Sequence, residues 1–216
     1  MGQPAEAHPT RQRLVDAAML LFWRDGYQST SVAAILAEAG VNAGSMYWFF
    51  PTKQDLLVAV LDRYLEGIVP MLLEPVWKAH ADPIDRVFGL LRVYRRSIVE
   101  THCTYGCPIG NLAIEIADPD PIVREKIRAN FDQWIAAVEE CLTAARDRFP
   151  PETDLHDLAT YVLTTMEGAV MQARAQRNVA PFDASVARLR DYFDRLFEAS
   201  AREQLVDPSN EKGTRT

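Results

Sequence analysis

Apolar residues recur at helical spacing along almost the whole chain. Leu14, Ala17, Ala18, Leu21 and Phe22 follow the i, i+3, i+4, i+7 rule and predict an amphipathic helix over Arg11–Asp25. Gly26 is placed to end it. Thr30 is read as the N-cap of a short helix over Ser31–Ala39, with Val32, Ile35 and Leu36 on one face. Gly40 ends that helix by taking up positive φ. Asn42 is read as the cap of a third helix over Ala43–Phe50, which Pro51 closes. Thr52 and Asp55 form a capping-box signature for a longer helix over Lys53–Glu66, with Leu56, Leu57, Val60, Leu61 and Tyr64 on its apolar side.

Beyond Pro70 and Pro75 the same period predicts helices over Asp85–Thr101, through the NLAIEIA segment that begins at Asn111, and from Pro121 to about Phe149 behind an Asp120 cap. Helices over Leu155–Gln176 and Ala184–Ala201 complete the chain before a polar tail. No alternating strand pattern and no internal repeat appears. The expected fold is all-α, with about nine helices.

Composition adds bounds. The 216 residues are 48% hydrophobic and 25% charged, an ordinary balance for a chain that buries a core. No apolar run approaches the ~18 residues of a membrane span, and the first residues hold no apolar leader segment, so a cytoplasmic protein is expected. Cys103, Cys107 and Cys141 make an odd count and no disulfide framework. The net charge of −7 argues against bulk electrostatic binding to nucleic acid, but the acid is concentrated behind the first four helices. Residues 1–64 carry five basic and six acidic side chains, whereas the remainder carries eighteen and twenty-four.

Three short helices with glycine punctuation fit a helix-turn-helix unit. With Val41, Met46 and Phe50 turned inward, the third helix leaves Asn42, Ala43, Gly44, Ser45, Tyr47, Trp48 and Phe49 for its outer face. Small polar groups and rings on such a face suit a major groove. The residues carrying this pattern are Gly26-Tyr27, Thr30-Ser31-Val32, Ala39-Gly40-Val41, Gly44-Ser45-Met46-Tyr47, Phe50 and Lys53-Gln54-Asp55-Leu56. From Arg11 to Leu57 the chain resembles the DNA-binding domain of the TetR family of transcriptional regulators.

The resemblance implies a helix-turn-helix domain over residues 10–56, preceded by a disordered arm over 1–9. A ligand-binding and dimerisation domain would span 57–205, with a disordered tail over 206–216. It implies phosphate contacts from Thr30, Ser31, Tyr47 and Lys53, and base contacts from Asn42, Ala43, Gly44, Ser45 and Trp48. Arg11 and Arg13 would form an arm toward the minor groove. Ala43 and Phe49 stand where family members often carry a basic residue and a His or Tyr, so few phosphate contacts and a modest salt dependence are expected.

For the rear of the chain the resemblance implies a homodimer, a small-molecule effector and double-stranded DNA as partners, with no cofactor. Candidate cavity residues are Met71, Trp77, Phe88, Tyr94, Cys107, Asn111, Trp134, Met166 and Met171, with Glu115 and Gln172 as further polar anchors. Candidate dimer contacts are Leu163, Gly168, Val170, Leu189, Phe193, Leu196 and Phe197 on the last two helices.

The spacing of His102, Cys103 and Cys107 matches no zinc pattern and lacks a fourth ligand. An alternative is a thiol sensor in which a helix N-terminus lowers the Cys107 pKa. A second alternative is a helical dimeric binding protein with a weakened DNA module. His8, His80, His102 and His156 are scattered and form no catalytic motif, so no enzyme is expected.

Overall fold

The computed structural model describes residues 8–116 and 120–206. The elements are α1 (Pro9–Asp25), α2 (Val32–Ala39), α3 (Ala43–Phe49), α4 (Lys53–Gly67), α5 (Glu74–Ala79), α6 (Pro83–Glu100), α7 (Pro108–Glu115), α8 (Pro121–Ala144), α9 (Leu155–Gln176) and α10 (Ala180–Val206). A π-helical turn over Ile68–Leu73 joins α4 to α5, and a 3-10 turn over Arg146–Arg148 follows α8. The all-α expectation stands. Helix α5 is the one element the sequence did not announce, because Pro75 reads as a breaker yet occupies the first turn, where its missing N–H costs nothing.

Local chemistry explains the boundaries. His8 caps α1 by accepting from the Thr10 amide, so the helix starts at Pro9 and takes in Arg11 and Arg13. The arm expected from those two arginines is therefore corrected: both are helical, and Arg11 lies 5.2 Å over the Phe50 ring. Residues 1–7 of the expected arm and 207–216 of the expected tail lie outside the described residues. Residue Ser31, not Thr30, caps α2, its Oγ accepting from the Ala34 amide at 3.1 Å. The capping box of Thr52 and Asp55 is present in both directions.

Two apolar clusters hold the molecule. The front one joins Leu14, Leu21, Ile35, Met46, Phe50, Leu56 and Leu61 to Ile109 and Leu112 of α7 and to Val123 and Ile127 of α8. The residue 56–57 boundary falls inside α4, and Ala59, Val60 and Leu61 remain in the front cluster. The rear cluster packs α6, α8, α9 and α10 around Leu90, Val138, Val162 and Phe193. Asn130 of α8 stitches the two together by donating to the Leu61 carbonyl at 3.1 Å, beside an ion pair between Lys126 and Asp62.

This packing corrects four expected dimer contacts. Leu163, Val170, Leu189 and Phe193 are buried within the single subunit. Residue Phe197 is half-buried against Phe149 at 5.1 Å and under Arg148 at 4.5 Å, and Leu196 also packs on the rear cluster. Gly168 has open space beyond its Cα. The exposed side of α9 and α10 carries Tyr161 meeting Tyr192 edge-on at 5.8 Å, with Thr164 and Met171 along the same helix as Tyr161.

Candidate nucleic-acid interface and buried cavity

The turn between α2 and α3 is built as a tight reversal. Gly40 takes φ 60° and its amide donates back to Ala37 and Leu36, while the Val41 amide reaches the Leu36 carbonyl at 3.0 Å. Asn42 then caps α3, its Oδ1 accepting from the Ser45 amide at 2.9 Å. Met46 is fully buried and Phe50 nearly so, which fixes the rotation of α3 about its axis. Asn42, Ala43 and Gly44 consequently face solvent, and Ser45 is half-buried. Tyr47 is 53% exposed and Trp48 71% exposed, large apolar areas for side chains with no packing role of their own. Phe49 is half-buried between His8 at 5.1 Å and Trp48 at 4.4 Å and braces the exposed indole.

Two residues expected at phosphates are placed elsewhere. Thr30 is buried, its hydroxyl donating to the Gly26 carbonyl at 2.6 Å and lying near that of Leu21. Lys53 turns back over the Tyr27 ring at 4.2 Å and donates to the Tyr27 carbonyl. Burial lowers its pKa, with Glu115 pulling weakly the other way. Ser31 remains exposed at the α2 N-terminus. The surface thus gathers Ser31, Asn42, Ala43, Gly44, Ser45, Tyr47 and Trp48, and withdraws Thr30 and Lys53.

The turn after α1 is also a junction with the rear of the molecule. Glu115, in the last turn of α7, accepts from the Tyr27 amide at 2.8 Å and the Gln28 amide at 2.5 Å. Gly26 sits at φ 89°, and a Cβ there would lie 3.0 Å from the Glu115 carboxylate, so glycine serves both the turn and the close approach. Trp23 donates its indole N–H to the Gly106 carbonyl at 2.6 Å and meets Tyr105 edge-on at 4.7 Å. Glu115 is therefore a tether rather than a cavity anchor.

A cavity of about 390 Å³ lies where α4, α6, α7, α8 and α9 converge. Of the residues expected there, Tyr94, Trp134 and Cys107 line it, and Met71 stands exposed at its rim. Trp77 instead packs below Arg86, Phe88 is buried against Phe193 and Arg190, and Met166 is core. Asn111 accepts from Arg174 in an adjoining groove that also holds Met171. Gln172 is exposed.

The sequence reading missed Tyr64, Ile109, Phe131, Leu163 and Glu167, all on the cavity wall. Glu167 had a legible signal: it is an acid in the middle of the apolar run from Val162 to Ala173. Desolvation raises its pKa, and its Oε1 is buried with no hydrogen-bond partner among the described residues. The indole nitrogen of Trp134 is also enclosed, beside the Tyr94 hydroxyl.

Cys107 caps α7, its Sγ accepting from the Gly110 amide at 3.5 Å. The helix N-terminus was expected to lower this thiol. Burial and the neighbouring Glu167 carboxyl instead push its pKa well up, against a weaker lowering by the Gly110 and Ile109 amides. Among the described residues no three His, Cys, Asp or Glu side chains converge to hold a metal, and no helix is long and apolar enough to cross a membrane.

Known proteins carry the same two parts. Residues 14–60 match the family model for bacterial regulatory proteins of the tetR family, and residues 83–188 match the C-terminal domain described as transcriptional regulator LmrA/YxaF-like. The chain is 30% identical over 191 residues to an uncharacterised HTH-type transcriptional regulator of Mycobacterium tuberculosis, covering 84% of this chain and 92% of that one. It is 28% identical over 177 residues to the HTH-type transcriptional repressor DhaR of Mycobacterium sp. (strain GP1), covering 81% and 87%. A TetR transcriptional regulator from Chloroflexus aurantiacus superposes with a TM-score of 0.71 at 31% identity, covering 86% of this chain and 94% of that one. Carrying the exposed α3 on its helix-turn-helix unit and an LmrA/YxaF-like helical domain behind it, the chain belongs to the TetR family of DNA-binding transcriptional regulators, a family of non-enzymatic proteins.

Proposed function

We propose that the protein is a ligand-released repressor that acts in the cytoplasm as a homodimer on a two-fold operator. The carrying observation is the tether: α7 supplies Cys107, Pro108 and Ile109 to the cavity at one end and holds the Tyr27–Gln28 turn through Glu115 at the other. A guest that displaces the cavity end of α7 would move the turn that precedes α2 and the recognition helix α3. Helix α4 adds a second path, since Tyr64 and Gly67 line the same cavity and Lys53 starts the helix beside Tyr27. Relatives named as repressors, DhaR and the Escherichia coli protein ComR, support the sign of regulation.

Homodimerisation is supported by the exposed edge-to-face pair Tyr161 and Tyr192 and, two turns along α9, by Gly168 with open space over its Cα. Two α3 helices about 34–36 Å apart would then enter successive major grooves. A guest needs to change the affinity for that spacing by only about 1–3 kcal/mol. In this reading Asn42, Ser45, Tyr47 and Trp48 meet the operator, with Ser31 at a phosphate.

Selection of bound fragments from a random duplex library tests the reading. An inverted repeat with half-sites one helical turn apart, bound by a dimer, supports it. Uniform binding to every duplex, or enrichment by a monomer on a single half-site, overturns it.

A further inference from the structure

The polar inventory of the cavity points to the chemistry of its guest, and this inference rests on the cavity being the effector site. Its wall is dominated by rings: Tyr64, Tyr94, Phe131 and Trp134 face a common space with aliphatic side chains between them. The charged groups lining it are Asp16, Arg63 and Glu167. Asp16 lies on α1 and Arg63 on α4, both exposed to solvent at the mouth. Glu167 is half-buried, with its Oε1 fully enclosed.

The groups facing Glu167 do not neutralise it. Cys107 of α7 lies against its carboxyl, and Tyr94 of α6 feels its charge, but neither is a cation. Arg174, two helical turns along α9, lines the adjoining groove together with Glu167 and Glu115, but it donates to Asn111 there and makes no ion pair with Glu167. An enclosed Oε1 with neither a cation nor a hydrogen-bond donor is a costly arrangement for an empty cavity. It is a suitable one for a positively charged guest, because aromatic faces attract cations and a carboxylate accepts short hydrogen bonds from an ammonium.

We infer that the effector is a compact organic cation, an apolar skeleton carrying one protonated amine, held by an ion pair to Glu167 within the cage of Tyr64, Tyr94, Phe131 and Trp134. A cavity of about 390 Å³ sits toward the small end of the range for ligand sites, which limits the guest to roughly one ring system and a short chain. Burial raises the Glu167 pKa, so below that pKa an ammonium must displace the carboxyl proton to water in order to bind. Affinity for the amine therefore falls as pH drops through the raised pKa of Glu167, while affinity for a neutral analogue does not change there.

The matched probes are 4-phenylbutylamine, 4-phenylbutan-1-ol and 4-phenylbutyrate, which share a skeleton and differ in charge. Calorimetric titration of the full chain near neutral pH is expected to rank amine over alcohol by about tenfold or more, with the carboxylate weakest. E167Q is expected to keep the alcohol's affinity, which also shows that the cavity is intact, and to lose the amine's advantage and its pH dependence. Equal binding of amine and alcohol, an advantage that survives in E167Q, or no binding by any probe overturns the cation assignment. Release of a selected operator is read in parallel. Alcohol and amine acting equally on DNA would sink the cation class and leave the effector site standing; amine selectivity with no effect on DNA would do the reverse.

Discussion

Replacing Glu115 with alanine isolates the tether from every other contact. The side chain makes two charge-assisted hydrogen bonds, to the Tyr27 and Gln28 amides. Such bonds are each worth about 1.5–3 kcal/mol when shielded. Here the Gln28 side is exposed and Tyr27 half-buried, so water can replace part of what is lost. The expected loss is thus that of about one full bond, roughly 1.5–3 kcal/mol for opening the turn. That corresponds to amide exchange at Tyr27 and Gln28 faster by about 10- to 150-fold in Glu115→Ala. The Met46 amide, bonded to the Asn42 carbonyl inside α3, serves as the internal reference and should exchange unchanged. In the same variant a ligand that binds the cavity should retain its affinity while its effect on operator affinity shrinks toward none. Unchanged exchange at Tyr27 and Gln28 would refute the tether, and a full ligand response despite faster exchange would refute its role in coupling.

Three further outcomes follow from the packing. Met46→Ala removes the fully buried side chain that sets the rotation of α3 and should lower the unfolding free energy in urea by about 2–5 kcal/mol. Thr30→Val leaves the Gly26 carbonyl without its donor, so a stability loss of about 1–2 kcal/mol with an unchanged affinity for scrambled duplex is expected; a loss of affinity shared by every duplex would return Thr30 to a phosphate. Because burial and Glu167 raise the Cys107 thiol, its thiolate appears only at alkaline pH. Iodoacetamide near neutral pH should leave native Cys107 unlabelled in peptide mapping and label it once urea unfolds the chain; rapid native labelling would revive a thiol sensor.

The front module was legible because its local signals agree: glycine stops, an Asn42 cap, a capping box, and an i, i+4 pair at Met46 and Phe50 that forces Tyr47 and Trp48 outward. The cap one residue off at Thr30 shows where local reading stops. Ser and Thr at adjacent positions are both good caps, and what separates them is the bond from Thr30 back to the Gly26 carbonyl, which forms only once the turn after α1 has folded. Lys53 failed for the same reason, since the Tyr27 ring that attracts it is twenty-six residues away. The cavity was only half legible. Helical period says that Phe88, Met166 and Trp134 are buried, but the angle at which α6, α8 and α9 cross decides which of them meets a void. Of the stripe expected to meet a partner, Leu163, Val170, Leu189 and Phe193 are consumed inside the subunit, and the outer side of α9 and α10 mixes Tyr161, Thr164 and Tyr192.

The central claim is that α3 reads DNA through its exposed face. The ratio of affinities for a selected operator and for a scrambled duplex, compared between the wild type and Trp48→Ala, tests it most directly. Trp48 is 71% exposed and has no partner in the core, so its removal should leave stability and scrambled-duplex binding alone. Loss of one good base contact, about 1–3 kcal/mol per half-site, should cut operator affinity by roughly 5- to 150-fold for each subunit engaged. An operator preference that survives Trp48→Ala undiminished would contradict the account.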